Sequence, residues 1–236
     1  SWLQRRRPKS GTKTAVIAGE KELSYIELAE RSTRLANALR DRGVGKGDRV
    51  AYLGENDPSF LETLFAAGLA GAVFVPLNTR LAPPEIQFQL RDSGTVVLVH
   101  SAALAVLAEL GSAETSVGSR IVVEDSTAPA PAKTVPDGGG AGRGSAVEAF
   151  EAVIASGAAL PPDEPVGLDD AAMILYTSGT TGNPKGALLT HGNITWNCIN
   201  VLVDFDFAST DVALMISPMF HVASLDMGVL PTLLKG

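Results

Sequence analysis

The sequence predicts an α/β fold, with a mostly parallel sheet and helices on its faces. Short apolar runs, such as Ala-Val-Phe-Val at residues 72–75, alternate with segments of helical periodicity. Strands that alternate with helices need crossover connections, which produce parallel pairing. An unbroken apolar run is expected of a strand that is covered on both faces. The composition, 45% hydrophobic and 19% charged over 236 residues, fits a globular chain.

The individual elements follow from local signals. Ser24 and Glu27 form a capping box, and the helix that follows can end at Gly43 in a left-handed conformation. Pro58 is placed to begin a helix that we expect to stop at Gly71. Two further helices are expected, one after Pro83–Pro84 and one over residues 101–110. The predicted strands are residues 49–53, 72–75, 95–99, 121–123 and 172–176.

Residues 126–146 interrupt this pattern. Ala, Gly and Pro fill most of the positions, and Val135 is the one large apolar side chain. Such a segment buries too little surface to offset the entropy of ordering, so we predict a mobile surface loop. A domain linker is the alternative, but the α/β pattern resumes afterwards. We therefore place the loop inside a first subdomain of about residues 1–170, followed by the start of a second over about 171–236.

A loop rich in glycine and hydroxyl groups follows the strand at 172–176. Glycines let backbone N–H groups approach oxygens closely, hydroxyls add donors, and a lysine adds positive charge for outer phosphates. The loop therefore predicts a polyphosphate site. A flexible turn is the alternative, which the ordered combination with a Pro-Lys-Gly end disfavours. The candidate phosphate-binding residues are Thr177, Ser178, Gly179, Thr180, Thr181, Gly182 and Lys185.

The P-loop of ordinary NTPases is a second alternative for this segment. That loop has a glycine immediately before its lysine and a serine or threonine immediately after it. Here Pro184 precedes Lys185 and Gly186 follows it. The chain then continues into an apolar extended run at 187–190, so no helix N-terminus would receive the phosphates. The sequence thus excludes this class of site.

Residues 176–186 resemble the phosphate-binding signature of the adenylate-forming superfamily. This superfamily holds acyl-CoA synthetases, adenylation domains of nonribosomal peptide synthetases, and luciferases. Residues 23–28, 66–78 and 217–222 are similar to further motifs of the family, so the resemblance covers nearly the whole chain apart from 126–146. The resemblance implies that the loop binds the β- and γ-phosphates of ATP. It also implies that His221 borders the carboxylate and acyl pocket.

For two histidines, a functional role competes with a purely structural one. His221 follows a predicted strand at 212–216, where α/β sheets place ligands, although a lone histidine is often structural. His191 precedes Asn193, which we expect to cap a helix that starts at Ile194. An ordered turn and a functional role fit His191 equally well. No catalytic residue and no metal ligand is assigned in this chain.

The resemblance implies a two-step reaction. A carboxylic acid, expected to be a fatty acid, attacks the α-phosphate of ATP and gives acyl-AMP and pyrophosphate; the thiol of coenzyme A then displaces AMP. ATP, Mg²⁺ and CoA are the implied co-substrates. Residues 218–221 resemble acyl-CoA ligases more than peptide-synthetase adenylation domains. A carrier-protein thiol as acceptor and a non-catalytic nucleotide-binding or interaction module are the alternatives.

Family members continue well beyond residue 236, with motifs for adenine, ribose and a C-terminal lysine. The chain is therefore expected to be an N-terminal part that lacks the C-terminal domain, is inactive alone and can self-associate. The formal net charge of −7 argues against a nucleic-acid partner. No integral membrane segment is predicted, because no apolar stretch is long enough. The one cysteine, Cys198, is expected to be a small buried residue, and a reducing cytoplasmic setting is the simplest interpretation.

Overall fold

A computed structural model describes residues 2–124, 146–177 and 184–236. The helices are α1 (Trp2–Ser10), α2 (Tyr25–Asp41), α3 (Pro58–Leu69), α4 (Pro83–Ser93), α5 (Ala105–Ser112), α6 (Phe150–Ser156), α7 (His191–Asp204), α8 (Val222–Ser224) and α9 (Leu230–Lys235). A 3₁₀ turn (Ala102–Leu104) precedes α5, and a π-helical turn (Leu225–Val229) joins α8 to α9. The strands are β1 (Thr14–Ala18), β2 (Lys21–Ser24), β3 (Arg49–Leu53), β4 (Val73–Pro76), β5 (Thr95–Ser101), β6 (Ser119–Val123), β7 (Ala146–Ala149), β8 (Ala171–Thr177) and β9 (Lys185–Thr190).

Seven of these strands form one sheet in the order β7-β6-β5-β3-β4-β8-β9. Every neighbouring pair is parallel except β8 and β9, which are antiparallel. The remaining strands, β1 and β2, form a separate antiparallel hairpin. The predicted α/β fold with a mostly parallel sheet is therefore confirmed. The sheet continues across residue 170, because β8 pairs with β4; the division into two subdomains stays a prediction.

Local signals set the ends of the main helices. Ser24 caps α2 with a capping box, since its side chain accepts from the Glu27 amide and Glu27 bonds back to the Ser24 amide. Pro58 occupies the first turn of α3, as predicted, and Asp57 caps this helix. Gly94 ends α4 with a left-handed φ of 65°.

Apolar side chains cover both faces of the sheet. On one face, α2, α3 and α6 pack against the strands, and Phe60 lies edge-on between Tyr52 and Phe74 with ring centroids 5.1 Å apart in each pair. On the other face, Ile86 and Leu90 of α4 pack with α5 over the inner strands. Burial on both faces explains the unbroken apolar runs.

Two predictions about residues 186–221 are wrong. No strand forms at 212–216, whose alternating apolar side chains are more than four-fifths exposed. A strand needs a pairing partner, and none of the strands within residues 2–124, 146–177 and 184–236 lies beside this segment. Asn193 does not cap α7; Thr190 does, and Asn193 is the third helical residue, whose side chain reaches back.

Several elements were not anticipated. The hairpin β1–β2 and helix α6 are too short to give a clear periodic signal. Helix α1 carries the arginines at 5–7 and buries Leu3. The predicted mobile loop lies outside the described residues, except that Ala146 already belongs to β7. In the described part of the chain, no helix combines the length and the apolar character needed to cross a bilayer.

Candidate functional site

The candidate site lies at the carboxyl edge of the sheet. Strands β3, β4 and β8 are parallel, so the segments that follow them leave the sheet at the same edge. Strand β8 ends at Thr177 and β9 begins at Lys185, which places the glycine-rich segment there as the connection between two antiparallel strands. In open α/β sheets, ligands bind outside the carboxyl ends of the strands. The fold thus brings Thr177 and Lys185, the described residues on either side of that segment, to an edge suited to ligand binding.

Thr177 and Lys185 are the two predicted phosphate-binding residues whose placement is described. They face each other as the last pair of the β8–β9 ladder, and the Thr177 hydroxyl lies 3.5 Å from the Lys185 carbonyl oxygen. Lys185 is exposed and forms no salt bridge with another described residue. Its ammonium is therefore available to an anionic ligand. The other five, Ser178, Gly179, Thr180, Thr181 and Gly182, lie outside the described residues.

Gly186, next to Lys185, is required by close packing rather than by an unusual backbone angle. A Cβ at this position would lie 2.8 Å from Cγ2 of Ile174 and 3.3 Å from Cζ of Tyr176. The first contact is closer than real side chains show, and the second is tighter than most packed contacts. The glycine therefore lets the Tyr176 ring lie across β9, beside the residue that carries the charge.

His221 lies at the N-cap position of α8 and is exposed. Its ring centroid is 4.6 Å from that of Phe220, and its amide donates to the Pro218 carbonyl at 3.2 Å. No contact among the described residues joins His221 to Lys185. The structure therefore leaves the predicted role of His221 at the acyl pocket as a prediction.

Asn56 connects the segment before His221 to the sheet. It follows β3, and its side chain bonds with two backbone groups: Nδ2 donates to the Ser217 carbonyl at 2.9 Å, and Oδ1 accepts from the Met219 amide at 2.8 Å. The segment that leads to His221 is thus fixed to the loop at the carboxyl edge of β3. No local pattern in the sequence indicates that Asn56 has partners so distant.

His191 lies at the opposite edge of the sheet. It follows β9, which runs antiparallel to β8, and its amide donates to the Asp170 carbonyl, just before β8 begins. Burial lowers the pKa of His191, and its Nε2 is buried without a hydrogen-bond partner among the described residues. Its position separates it from Thr177 and Lys185, which favours the structural interpretation.

Cys198 is buried on α7, as predicted. Burial raises the pKa of its thiol to about 12, so the thiolate is scarce at neutral pH.

Within residues 2–124, 146–177 and 184–236, no group of three or more His, Cys, Asp or Glu side chains could hold a metal ion. We therefore assign no residue to Mg²⁺.

Comparison with known proteins identifies the family. Residues 3–236 match the AMP-binding enzyme family, which is almost the whole chain. The chain belongs to the AMP-binding enzyme family. The resemblance of the chain to the adenylate-forming (AMP-binding) superfamily is thereby confirmed.

Curated relatives of this chain include proteins named CoA synthases and CoA ligases. Feruloyl-CoA synthases from Amycolatopsis sp and Streptomyces sp are each 51% identical over all 236 residues, which are 42% of their own length. Indoleacetate–CoA ligase from Aromatoleum aromaticum is 38% identical over the whole chain, which covers 43% of it. The chain thus spans less than half the length of these curated relatives.

Solved structures of the family share the fold. The inhibitor-bound N-terminal domain of FACL13 from Mycobacterium tuberculosis aligns over the entire chain with a TM-score of 0.82 and 30% identity, and the chain covers 54% of it. Apo MatB from Rhodopseudomonas palustris aligns over the entire chain with a TM-score of 0.79 and 31% identity, and the chain covers 44% of it. The sheet and helices described above are therefore the architecture of this family.

Proposed function

We propose that the whole protein activates a carboxylic acid with ATP and passes the acyl group to the thiol of coenzyme A. The observation that carries this proposal is the Thr177–Lys185 pair at the carboxyl edge of the sheet, which bounds a segment with the adenylate-forming signature. Membership of the AMP-binding enzyme family and the CoA ligases among the relatives support it. Their whole lengths exceed this chain, so the complete reaction belongs to the whole protein.

The chemistry divides a difficult acyl transfer into two steps. A carboxylate oxygen forms a bond to the α-phosphorus of ATP, the bond from that phosphorus to the bridging oxygen breaks, and pyrophosphate leaves. The thiolate sulfur of CoA then forms a bond to the acyl carbon, and AMP leaves with the electron pair of the broken bond. In the first step two anions meet, so positive charge near the phosphates lowers the barrier. Lys185 supplies such a charge at the start of β9.

The acid itself is proposed from the relatives. The sequence led us to expect a fatty acid, and a long-chain-fatty-acid–CoA ligase from Mycobacterium tuberculosis, FadD13, is 36% identical over 86% of this chain. The feruloyl-CoA synthases are 51% identical over the whole of this chain, and the indoleacetate–CoA ligase is 38% identical over the same span. We therefore propose an aryl acid of the ferulate type as the preferred substrate, with a fatty acid as the second candidate.

The full-length protein tests this proposal by ATP–pyrophosphate exchange. We would supply ferulate, indoleacetate and hexadecanoate separately, with a reaction that lacks acid as the control. Exchange that depends on an acid supports acyl-AMP formation, and the preferred acid is the one with the highest kcat/KM. Absence of exchange with every acid would refute the proposed activity and favour the non-catalytic alternative.

A second measurement identifies the acceptor. CoA or a carrier protein bearing its phosphopantetheine thiol is added after exchange is established, and the acyl thioester is detected by mass spectrometry. A carrier acceptor remains the competing outcome, since a fatty acid–[acyl-carrier-protein] ligase from Streptomyces coeruleorubidus is 36% identical over 91% of this chain. We propose that CoA is acylated and that residues 1–236 alone catalyse neither step, because their relatives use more than twice this length.

A further inference from the structure

Tyr176 connects the end of β8, beside the candidate site, to helix α4. It is the residue before Thr177 on β8, and its hydroxyl donates to Oδ2 of Asp92 at 2.7 Å. The same hydroxyl lies 3.2 Å from the carbonyl oxygen of Gln89. Both acceptors belong to the last two turns of α4, more than eighty positions away in sequence. A single phenol thus spans from the sheet to a helix on its face.

The ring of Tyr176 is fixed along its length as well as at its tip. It pairs with Gly186 across the β8–β9 ladder, and a Cβ on Gly186 would lie 3.3 Å from its Cζ and 3.4 Å from its Cε1. The ring therefore lies directly over β9, one residue from Lys185. The ring packs on β9, and its hydroxyl bonds to α4. It therefore restricts the movement of the end of the ladder, where Thr177 faces Lys185.

Asp92 is not explained by the stability of α4. An acidic side chain in the last turn of a helix meets the negative end of the helix dipole, which is unfavourable. The C-terminal end of α4 is already capped by Gly94, whose amide bonds to the carbonyls of Leu90 and Arg91. What remains for the Asp92 carboxylate is its bond to Tyr176, and a hydrogen bond to an ionised acceptor is stronger than a neutral one.

The donor role of Tyr176 is secure at neutral pH. Burial, together with the bond to Asp92 and the charge of that carboxylate, raises the pKa of the phenol well above its usual range. The hydroxyl therefore stays protonated and donates. The carboxylate can only accept, so the direction of the bond is fixed.

We propose that Tyr176 and Asp92 are positioning residues for Lys185: their hydrogen bond holds the end of the β8–β9 ladder where the lysine meets the phosphates of ATP. This rests on the proposed function, in which Lys185 binds those phosphates. A charged group that is already in place loses less freedom when its ligand arrives, so pre-positioning strengthens binding. Neither Tyr176 nor Asp92 touches the reacting atoms.

The test uses the full-length protein and three substitutions. Tyr176→Phe removes only the hydroxyl, Asp92→Ala removes the acceptor, and Asp92→Asn keeps an acceptor oxygen. Tyr25→Phe is the matched control, since it removes a tyrosine hydroxyl that bonds to the Leu233 carbonyl on the distant α9. The readouts are KM and kcat for MgATP in ATP–pyrophosphate exchange, and residue-resolved amide hydrogen exchange over β9.

We expect Tyr176→Phe and Asp92→Ala to raise KM for ATP about fivefold, the effect of one hydrogen bond to a charged group in a partly exposed setting, while kcat changes less than threefold. Amides of Lys185 and Gly186 should exchange faster in both variants. Asp92→Asn should restore most of the affinity and the protection, and Tyr25→Phe should change neither. The double variant should be no worse than either single variant.

Two results would overturn the proposal. One is an unchanged KM for ATP in Tyr176→Phe and Asp92→Ala with only a lower melting temperature, which indicates a purely structural bond. The other is unchanged amide exchange in β9. If the unsubstituted protein shows no acid-dependent exchange at all, the proposed function fails. Amide exchange over β9 and calorimetric titration with MgATP then decide the positioning role separately, and no change in either would overturn it.

Discussion

Asn56 Oδ1 accepts a hydrogen bond from the backbone amide of Met219 at 2.8 Å, across 163 positions of sequence. With the bond from its Nδ2 to the Ser217 carbonyl, the side chain binds one donor and one acceptor of the same segment. This segment leads directly to His221, the residue assigned by resemblance to the acyl pocket. Asn56 therefore determines where that segment stands relative to the carboxyl edge of the sheet.

We predict that Asn56→Ala in the full-length protein raises KM for the carboxylic acid about fivefold to tenfold. Two lost hydrogen bonds, each worth about 1 kcal/mol, let the segment at 217–221 shift. KM for ATP should change much less. Steady-state kinetics with each substrate varied in turn provides the measurement. Asn37→Ala is the control, since Asn37 also donates to two carbonyls, those of Ala158 and Leu160, near the end of α2. Equal effects of the two substitutions would contradict the prediction.

Lys185→Ala should slow acyl-AMP formation tenfold or more, because a charge-assisted contact to phosphate is lost. The transfer step, supplied with preformed acyl-AMP, should suffer less, since no pyrophosphate leaves in it. Single-turnover measurements of the two half-reactions separate these effects. Lys46→Ala serves as the control: Lys46 pairs with Asp170 at the amino edge of the sheet, where the salt bridge is partly exposed and worth little. Equal slowing of both half-reactions would refute the assigned role.

Local signals predicted most of the fold but little of the geometry of the site. Ser24, Pro58 and the apolar run at 72–75 act through nearest neighbours, and the structure confirms each of them. Thr190 and Asn193 both suit an N-cap, and sequence alone selected the wrong one.

Long-range partners explain the other features of the structure that the sequence did not predict. The alternating pattern at 212–216 predicts a strand, yet pairing depends on a neighbour that no local pattern specifies. The bonds from Asn56 to Met219 and from Tyr176 to Asp92 join residues far apart in sequence. No periodicity or motif encodes such pairs in a single sequence. The sequence therefore offers candidate phosphate-binding residues, whose role stays a prediction, but it gives no signal for the long-range bonds of Asn56 and Tyr176.

Arg31 links three helices, and its loss should destabilise the protein. Its Nε lies 2.5 Å from Oε1 of Glu62, whose side chain is 2% exposed, and its Nη2 lies 2.6 Å from Oε1 of the exposed Glu151. Burial raises the pKa of Glu62, whereas Arg31 opposes that shift. Arg31→Met leaves a buried carboxylate without its partner, and we expect a loss of about 3 kcal/mol in the free energy of unfolding.

Urea denaturation at pH 7 measures this loss. Glu151→Gln is the matched control, since it removes only the exposed member of the group and should cost less than about 1 kcal/mol. Arg31→Met combined with Glu62→Leu should recover part of the stability, because the unpaired charge is removed as well. Similar small losses for Arg31→Met and Glu151→Gln would show that the buried contact contributes little.

Asp226 gives the protein a pH dependence of opposite sign to that of Glu148 and Glu151. Its side chain is buried in the π-helical turn, and its Oδ1 has no hydrogen-bond partner among the described residues. Burial raises the pKa of this carboxyl to about 6. Its folded-state pKa is above its unfolded one, so its contribution to stability is complete below about pH 4 and is lost as the pH rises through about 6. Glu148 and Glu151 act in the other direction, since bonds from Arg42 and Arg31 lower their pKa values.

We therefore predict that Asp226→Asn changes the slope of stability against pH between about pH 4 and 7. A shift of about two pKa units corresponds to about 3 kcal/mol, an upper bound because the amide of asparagine must also be buried. The variant should gain stability relative to the unsubstituted protein as the pH rises through this window, reaching its largest advantage at pH 7. Urea denaturation at half-unit steps of pH measures the difference, in which the titration of the other carboxylates cancels. Asp211→Asn makes the same substitution at an exposed aspartate, whose side chain accepts from the Ala208 amide, and is the matched control. A difference between Asp226→Asn and the unsubstituted protein that stays constant from pH 4 to 7 would mean that Asp226 does not titrate with a raised pKa in the folded state.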